Sequence, residues 1–209
     1  MRILEKWRQV PQPVRSFLYK GVILLAAWKV LYLCILLPNR ILDRPLTHLI
    51  GAATVTTLNV CTHSSHYSLE KGIDERAVGA DGLVYSENVE RIYRDGEKVL
   101  SIADVCNGLE VMVLYVGFIV CWSAAGRARK AAFAAGGSVL IVLLNILRCS
   151  ALTFIYLRWP QYADFYHHYV FTFVIYGLIF ALWYRFTDLP TQPEMTPQKP
   201  ALHATTSIE

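Results

Sequence analysis

The sequence predicts an all-α integral membrane bundle of four transmembrane helices, with a short extra helix at its outer face and a small extracytoplasmic β-hairpin. Three observations predict it. The 209 residues are 55% hydrophobic, too apolar for a soluble domain of this size, and the apolar residues fall in blocks. Four blocks, at 17–37, 109–125, 131–156 and 169–186, approach the roughly 20 residues a helix needs to cross a hydrocarbon core about 30 Å thick. Lys and Arg gather at alternate block ends, an asymmetry that marks the cytoplasmic side.

Residues 1–20 carry Arg2, Lys6, Arg8, Arg15 and Lys20 against the single acid Glu5. This places the N-terminus in the cytoplasm. The first block is too long for a removable signal, and Leu37-Pro38-Asn39-Arg40 follows it instead of a small-residue cleavage site. Lys29, inside this block, is expected to snorkel along its aliphatic stem. Residues 46–62 are apolar but short, and hold His48, Asn59 and a run of threonines. They read as a helix at the outer surface or dipping into the bundle. The stretch 61–105 has five basic residues against nine acids, which suits an extracytoplasmic segment, so residues 38–108 lie outside. Within it, Asp95-Gly96 between two alternating runs is a two-residue hairpin signal over 90–102.

The loop Gly126-Arg127-Ala128-Arg129-Lys130 is purely basic. It returns the chain to the cytoplasm, with 158–166 outside and the C-terminus inside. Residues 1–187 form the membrane-embedded domain. Residues 188–209, with four prolines and mostly polar side chains, read as a disordered tail. Five scattered cysteines imply no disulfide framework. Neither an internal repeat nor a nucleotide-binding glycine loop occurs, and no nucleic acid, cofactor or metal is expected. Cys61, His63 and His66 are soft and imidazole ligands close together, but a fourth ligand at a recognisable spacing is missing.

The residues that point to chemistry sit at one level. Asp104-Val105-Cys106-Asn107-Gly108-Leu109-Glu110 ends the polar segment and opens the second block. Cys106 thus lies at a helix N-terminus and at the water boundary, with Asn107 as the expected N-cap and Gly108 easing the bend. Arg148 is eight residues before Tyr156, about 12 Å along the third helix. At that depth an arginine needs a partner or must snorkel. Asn145 shares its face, and Glu110 is the expected ion-pair partner. His167 and His168 open the last block on the outer side, where an imidazole near a thiol is a natural proton donor and acceptor.

Cys-Asn-Gly-Leu at the head of one span, Asn145-Ile146-Leu147-Arg148 late in the next and a histidine opening the last together resemble the exosortase/archaeosortase family, over roughly residues 17–187. The resemblance implies a cysteine transpeptidase similar to sortases in chemistry but not in fold. Carried over by position, Cys106 is the nucleophile, Arg148 the arginine and His167 the histidine. Family members usually have Gly four residues after the histidine, where this chain has Phe171, so His168 stands as an alternative. Many members read Cys-Ser-Gly, and larger ones have about twice as many spans, so this chain resembles a compact branch. The implied reaction cleaves the C-terminal transmembrane sorting tail of secreted proteins on the outer face of the plasma membrane. It then transfers them to an acceptor, an exopolysaccharide or another cell-surface group, beside membrane lipid. Two other readings compete. One is a non-enzymatic partner of an export or exopolysaccharide machine, with Arg148 paired to Glu110; the other is a thiol-redox protein using Cys61 and Cys106.

Overall fold

The computed structural model describes residues 11–63, 65–78, 83–122 and 125–188, so the expected tail lies, beyond Asp188, outside the described residues. Helix α1 starts at Gln12 behind Pro11, with a proline in its first turn, where the missing N–H is not needed. It runs Gln12–Leu31, passes through a π-turn at Tyr32–Leu36 and ends with Leu37–Asn39. Arg40 then takes a left-handed conformation, φ 50°. Helix α2 follows at Asp43–Thr62 and closes at left-handed His63.

Three antiparallel strands come next: β1 Tyr67–Val78, β2 Leu83–Arg94 and β3 Glu97–Ala103, in the order β1-β2-β3. Asp95 and Gly96 both have positive φ, 52° and 85°, as a tight hairpin turn requires. The register pairs Arg94 with Glu97 across it, with an irregularity at Ile92/Tyr93. The expected hairpin at 90–102 is therefore two strands of a three-stranded sheet. Strand β1 was not foreseen because its alternation fades: Tyr67 is buried, whereas Ile73 is 60% exposed.

Helix α3 is Leu109–Cys121, α4 is Arg127–Arg158 and α5 is Pro160–Asp188, the last interrupted by a π-turn at Tyr166–Val170. Among the described residues three helices are long and apolar enough to cross a membrane, not the four expected: α1, α4 and α5. The 13 residues of α3 rise about 20 Å, short of a core about 30 Å thick. The expected outer loop at 158–166 is also mostly helix, since only Trp159 separates α4 from α5.

Two apolar clusters hold these parts together, and α4 belongs to both. At its basic end Ile141 packs with Tyr115 and Ile119 of α3 and with Ile175, Ile179 and Phe186 of α5. Toward its other end Cys149 packs with Ile50 and Leu58 of α2, Tyr67 of β1, Ile92 of β2 and Ile102 of β3. Helix α2 is thus not a short surface helix. Its 20 residues lie between the sheet and α4, with Thr47, Ile50, Gly51, Thr54 and Leu58 buried on one face. Thr54 returns its hydroxyl to the Ile50 carbonyl, and Thr47 has two acceptors in reach, Asp43 O and Asp104 Oδ1, so buried threonines leave no unmet donor. The basic loop also closes helix ends: Lys130 Nζ donates to Val120 O at 3.1 Å, and Arg129 donates to Phe186 O.

The packing of α3 on α4 turns on Gly137. The Tyr115 ring is fully buried against it, and its hydroxyl donates to Phe133 O at 2.8 Å. A Cβ at residue 137 would stand 2.2 Å from that ring. Gly137→Ala is therefore expected to destabilise the bundle by about 1–3 kcal/mol, read as a lower Tm in detergent. In the sheet, Arg91 donates to Asp74 Oδ1 through Nη2 at 2.7 Å and Nε at 3.2 Å. These bonds hold the Asp74 carboxyl below its ordinary value. The stabilisation is complete above about pH 4 and is lost as pH falls through the lowered value. Asp74→Asn should remove this part of the acid dependence, measured as hydrogen exchange of the sheet amides against pH.

Candidate active site

Strand β3 delivers the chain into a 3-10 turn, Asp104–Cys106, and α3 begins at Leu109. The expected cap is shifted by one residue. Gly108 occupies the cap position in the left-handed region, φ 80°, while Asn107 Oδ1 accepts the Leu109 N–H at 2.8 Å. This is the two-residue reach typical of an Asx turn.

Asn107 is 2% exposed and held from two further sides. Its Nδ2 donates to Asp43 Oδ1 at 3.1 Å and lies 3.3 Å from Thr47 Oγ1, both on α2. Its main-chain carbonyl accepts Asn145 Nδ2 of α4 at 3.0 Å. Thr47 Oγ1 in turn stands 2.7 Å from Asp104 Oδ1, so both ends of the turn carrying Cys106 are tied to α2. Tyr32 of α1 lies beside the same Asp43 carboxylate.

Arg148 is one turn beyond Asn145 on the same face of α4. Its Nη2 lies 3.2 Å from His167 Nδ1 and 3.4 Å from Nε2. A guanidinium nitrogen can only donate, so the ring nitrogen it bonds presents a lone pair. His168 turns elsewhere, its Nδ1 3.2 Å from Asp164 O and 3.1 Å from Asp164 Oδ1, and is largely exposed. Both histidines sit in the π-turn of α5, an irregularity frequent at functional positions.

Cys106 is half-buried and free. Asn145, which bonds the residue after Cys106, and Arg148 lie one turn apart on α4, so the Cys106 turn and the guanidinium meet neighbouring turns of that helix. Glu110 does not pair with Arg148. It bonds Lys29 at 2.5 Å, and so Lys29 has an ionic partner on α3 instead of merely snorkelling. Both side chains are more than half exposed, and Glu110 projects from the first turn of α3 toward α1.

Cys61 and Cys106 are both free. Thr47, which touches Asn107, is 14 residues before Cys61 on α2, about 21 Å along the axis, so a Cys61–Cys106 disulfide is not compatible with this fold. His66 is bonded to Asp95. Among the described residues no three His, Cys, Asp or Glu side chains come together to hold a metal ion.

Asp43 and Thr47 were missed in sequence. Their four-residue spacing puts them on one helix face, but an acid in the first turn of a helix is ordinarily explained by the helix dipole. Nothing in the sequence marks them as partners of a turn some 60 residues on.

Compared with known families, residues 16–185 match the family model described as transmembrane exosortase. No curated protein matches the chain, and no solved structure does.

The Gly108 position makes a prediction. A Cβ there would stand 2.0 Å from Asn145 Nδ2 on a backbone of positive φ. Gly108→Ala should cost about 1–3 kcal/mol of stability from the backbone conformation alone and break the Asn145–Asn107 bond. The check is Tm in detergent, with Gly108→Ala/Asn145→Ala recovering part of the loss.

Proposed function

From its membership of the transmembrane exosortase family, which carries a transpeptidase-type role at the membrane, we propose that this chain is a cysteine protease or transpeptidase. Its substrates are secreted proteins held by a C-terminal transmembrane tail, cut at the outer face of the plasma membrane. The single observation that carries the reading is the Arg148–His167 contact at 3.2 Å, one turn from the asparagine that holds the Cys106 turn.

In this reading the bound substrate draws the Arg148 guanidinium away from the His167 lone pair, the ring nitrogen so freed accepts the Cys106 proton, and the thiolate attacks the scissile carbonyl carbon. The electrons of the C=O bond move to oxygen, and Arg148 N–H groups stabilise the oxyanion. Collapse breaks the C–N bond, and the leaving amine takes its proton from His167. A thioester to Cys106 remains. Water or an acceptor amine attacks it with His167 as base, releasing the carboxylate or a new amide and restoring the thiol. With the short α3 crossing a locally thinned bilayer, the positive residues 1–20 and 126–130 lie on the cytoplasmic side and the Cys106 end outside.

The non-enzymatic reading needed Arg148 to pair with Glu110, which pairs with Lys29. The redox reading needed Cys61 near Cys106, and the length of α2 keeps them apart.

The test is mass spectrometry of secreted-protein C-termini in the native strain with and without this gene. It is expected to give a set of new C-termini that disappears with Cys106→Ala and Cys106→Ser. Arg148→Lys, which loses the planar fork, should reduce their formation about 10²–10³-fold, and Cys61→Ala should leave it unchanged. Unaltered processing in Cys106→Ala would remove the catalytic assignment. A membrane-impermeant maleimide added to intact cells is expected to label Cys106.

A further inference from the structure

Three side chains around the Cys106 turn are almost completely buried although polar or charged: Asp43 at 2% exposed, Thr47 at 1% and Asn107 at 2%. Burying such groups is costly unless their bonds are met. Here the bonds form one connected set, in which Asp43 Oδ2 alone among the side-chain polar atoms of the three is buried without a hydrogen bond. Asn107 Nδ2 faces the acceptor-only carboxylate of Asp43 at 3.1 Å, while its Oδ1 faces the Leu109 N–H at 2.8 Å. Turning the amide over would set oxygen against oxygen at Asp43 and two donors against each other at Leu109. Asp43 thus dictates which way the amide points. Thr47 adds the second hold, with Asp104 Oδ1 at 2.7 Å and the Asp43 carbonyl at 2.8 Å competing for its one hydroxyl proton. The carboxylate, as the charged acceptor, is favoured.

We infer that Asp43 and Thr47 are positioning residues for Cys106. They act through Asn107 and Asp104 to clamp both ends of the Asp104–Cys106 turn onto α2, while Asn145 ties the same turn to the α4 face that carries Arg148. With Asp104 and Asn107 fixed, rotation about its Cα–Cβ bond is the main freedom left to the thiol. The clamp rests on the proposed function only in the claim that this placement serves the reaction; the restraint on the turn is a property of the fold. The sheet and α2 are therefore part of the machinery, since α2 supplies both groups.

The test uses the full chain in detergent, reacted with iodoacetamide and quantified cysteine by cysteine by mass spectrometry, alongside the gene-dependent C-termini in cells. Asp43→Leu and Thr47→Val remove the polar groups at similar size. Asp43→Asn and Thr47→Ser keep an acceptor and a hydroxyl. In the first pair, labelling of Cys106 should rise at least fivefold over the unsubstituted chain, and processing should fall at least tenfold. Buried Cys149 should stay protected, which separates release of the turn from loss of the fold. The second pair should restore both readouts to within about twofold of the unsubstituted chain. Should Asp43→Leu fail to fold, Thr47→Val decides alone. Unchanged Cys106 labelling in Thr47→Val would overturn the clamp, and so would Cys149 deprotected in step with Cys106. Raised labelling with normal processing would overturn its role in the reaction. If Cys106→Ala itself processes normally, the catalytic reading fails while the labelling result still decides the clamp.

Discussion

The 32 residues of α4 make a rod about 48 Å long, against a hydrocarbon core of about 30 Å. The middle and later turns of α4 are what the rest of the molecule is built on. One part of the helix packs with α3 and α5, and the remainder serves as the floor on which α2 and the sheet assemble. Counted from Lys130, Arg148 lies about 27 Å along the axis, close to where the apolar medium ends. A permanently charged side chain is tolerable there, and it also meets groups brought in by other elements. End α4 before Val142 and the sheet loses its support, the turn after β3 loses Asn145, and Arg148 is lost with them.

The proposed site is composite in a way that follows from this. Cys106 comes from the turn that ends the sheet, Arg148 from α4 and His167 from α5, and each is held by a different kind of restraint. The turn is held by buried hydrogen bonds, Arg148 by the regularity of a long helix, and His167 by a π-turn that shifts the helical phase. A second π-turn, Tyr32–Leu36, lies toward the end of α1, where Tyr32 adjoins Asp43. Two of the three membrane helices that border the site, α1 and α5, thus depart from regular α-helix near it, whereas the basic end is capped by Lys130 and Arg129.

How much of this could be read from sequence depended on the range of the interaction. Apolar blocks located α1, α4 and α5 because periodicity and length are local properties. Asp95-Gly96 located the hairpin because a positive-φ turn needs particular residues at adjacent positions. The same composition gave too long an estimate for the helix after Cys106, which ends at Cys121, because apolar residues continue past the point where the helical hydrogen bonds stop. Strand β1 has Glu70 and Lys71 at adjacent positions, hence charges on both faces, and gave no clear alternation. Ion-pair choice was not legible at all. Glu110 is as plausible a partner for Arg148 as for Lys29 until the fold sets α1 beside α3. Asp43 and Thr47 were hidden for the same reason, since their meaning lies in Asn107, far along the chain.

One consequence follows from the shortness of α3. Its last turns are level with Lys130, which bonds Val120, and its first residue is level with Asn145, only about 22 Å further along α4. With Lys130 at one edge of the hydrocarbon, as the proposed orientation has it, the thiol turn lies deeper than the opposite headgroup plane of an undisturbed bilayer. Such hydrophobic mismatch is relieved by local thinning of the lipid around the short element. On the proposed function the membrane surface dips toward Cys106, and a substrate anchored in the bilayer needs to be pulled only slightly outward for a backbone carbonyl to come within reach of the sulfur.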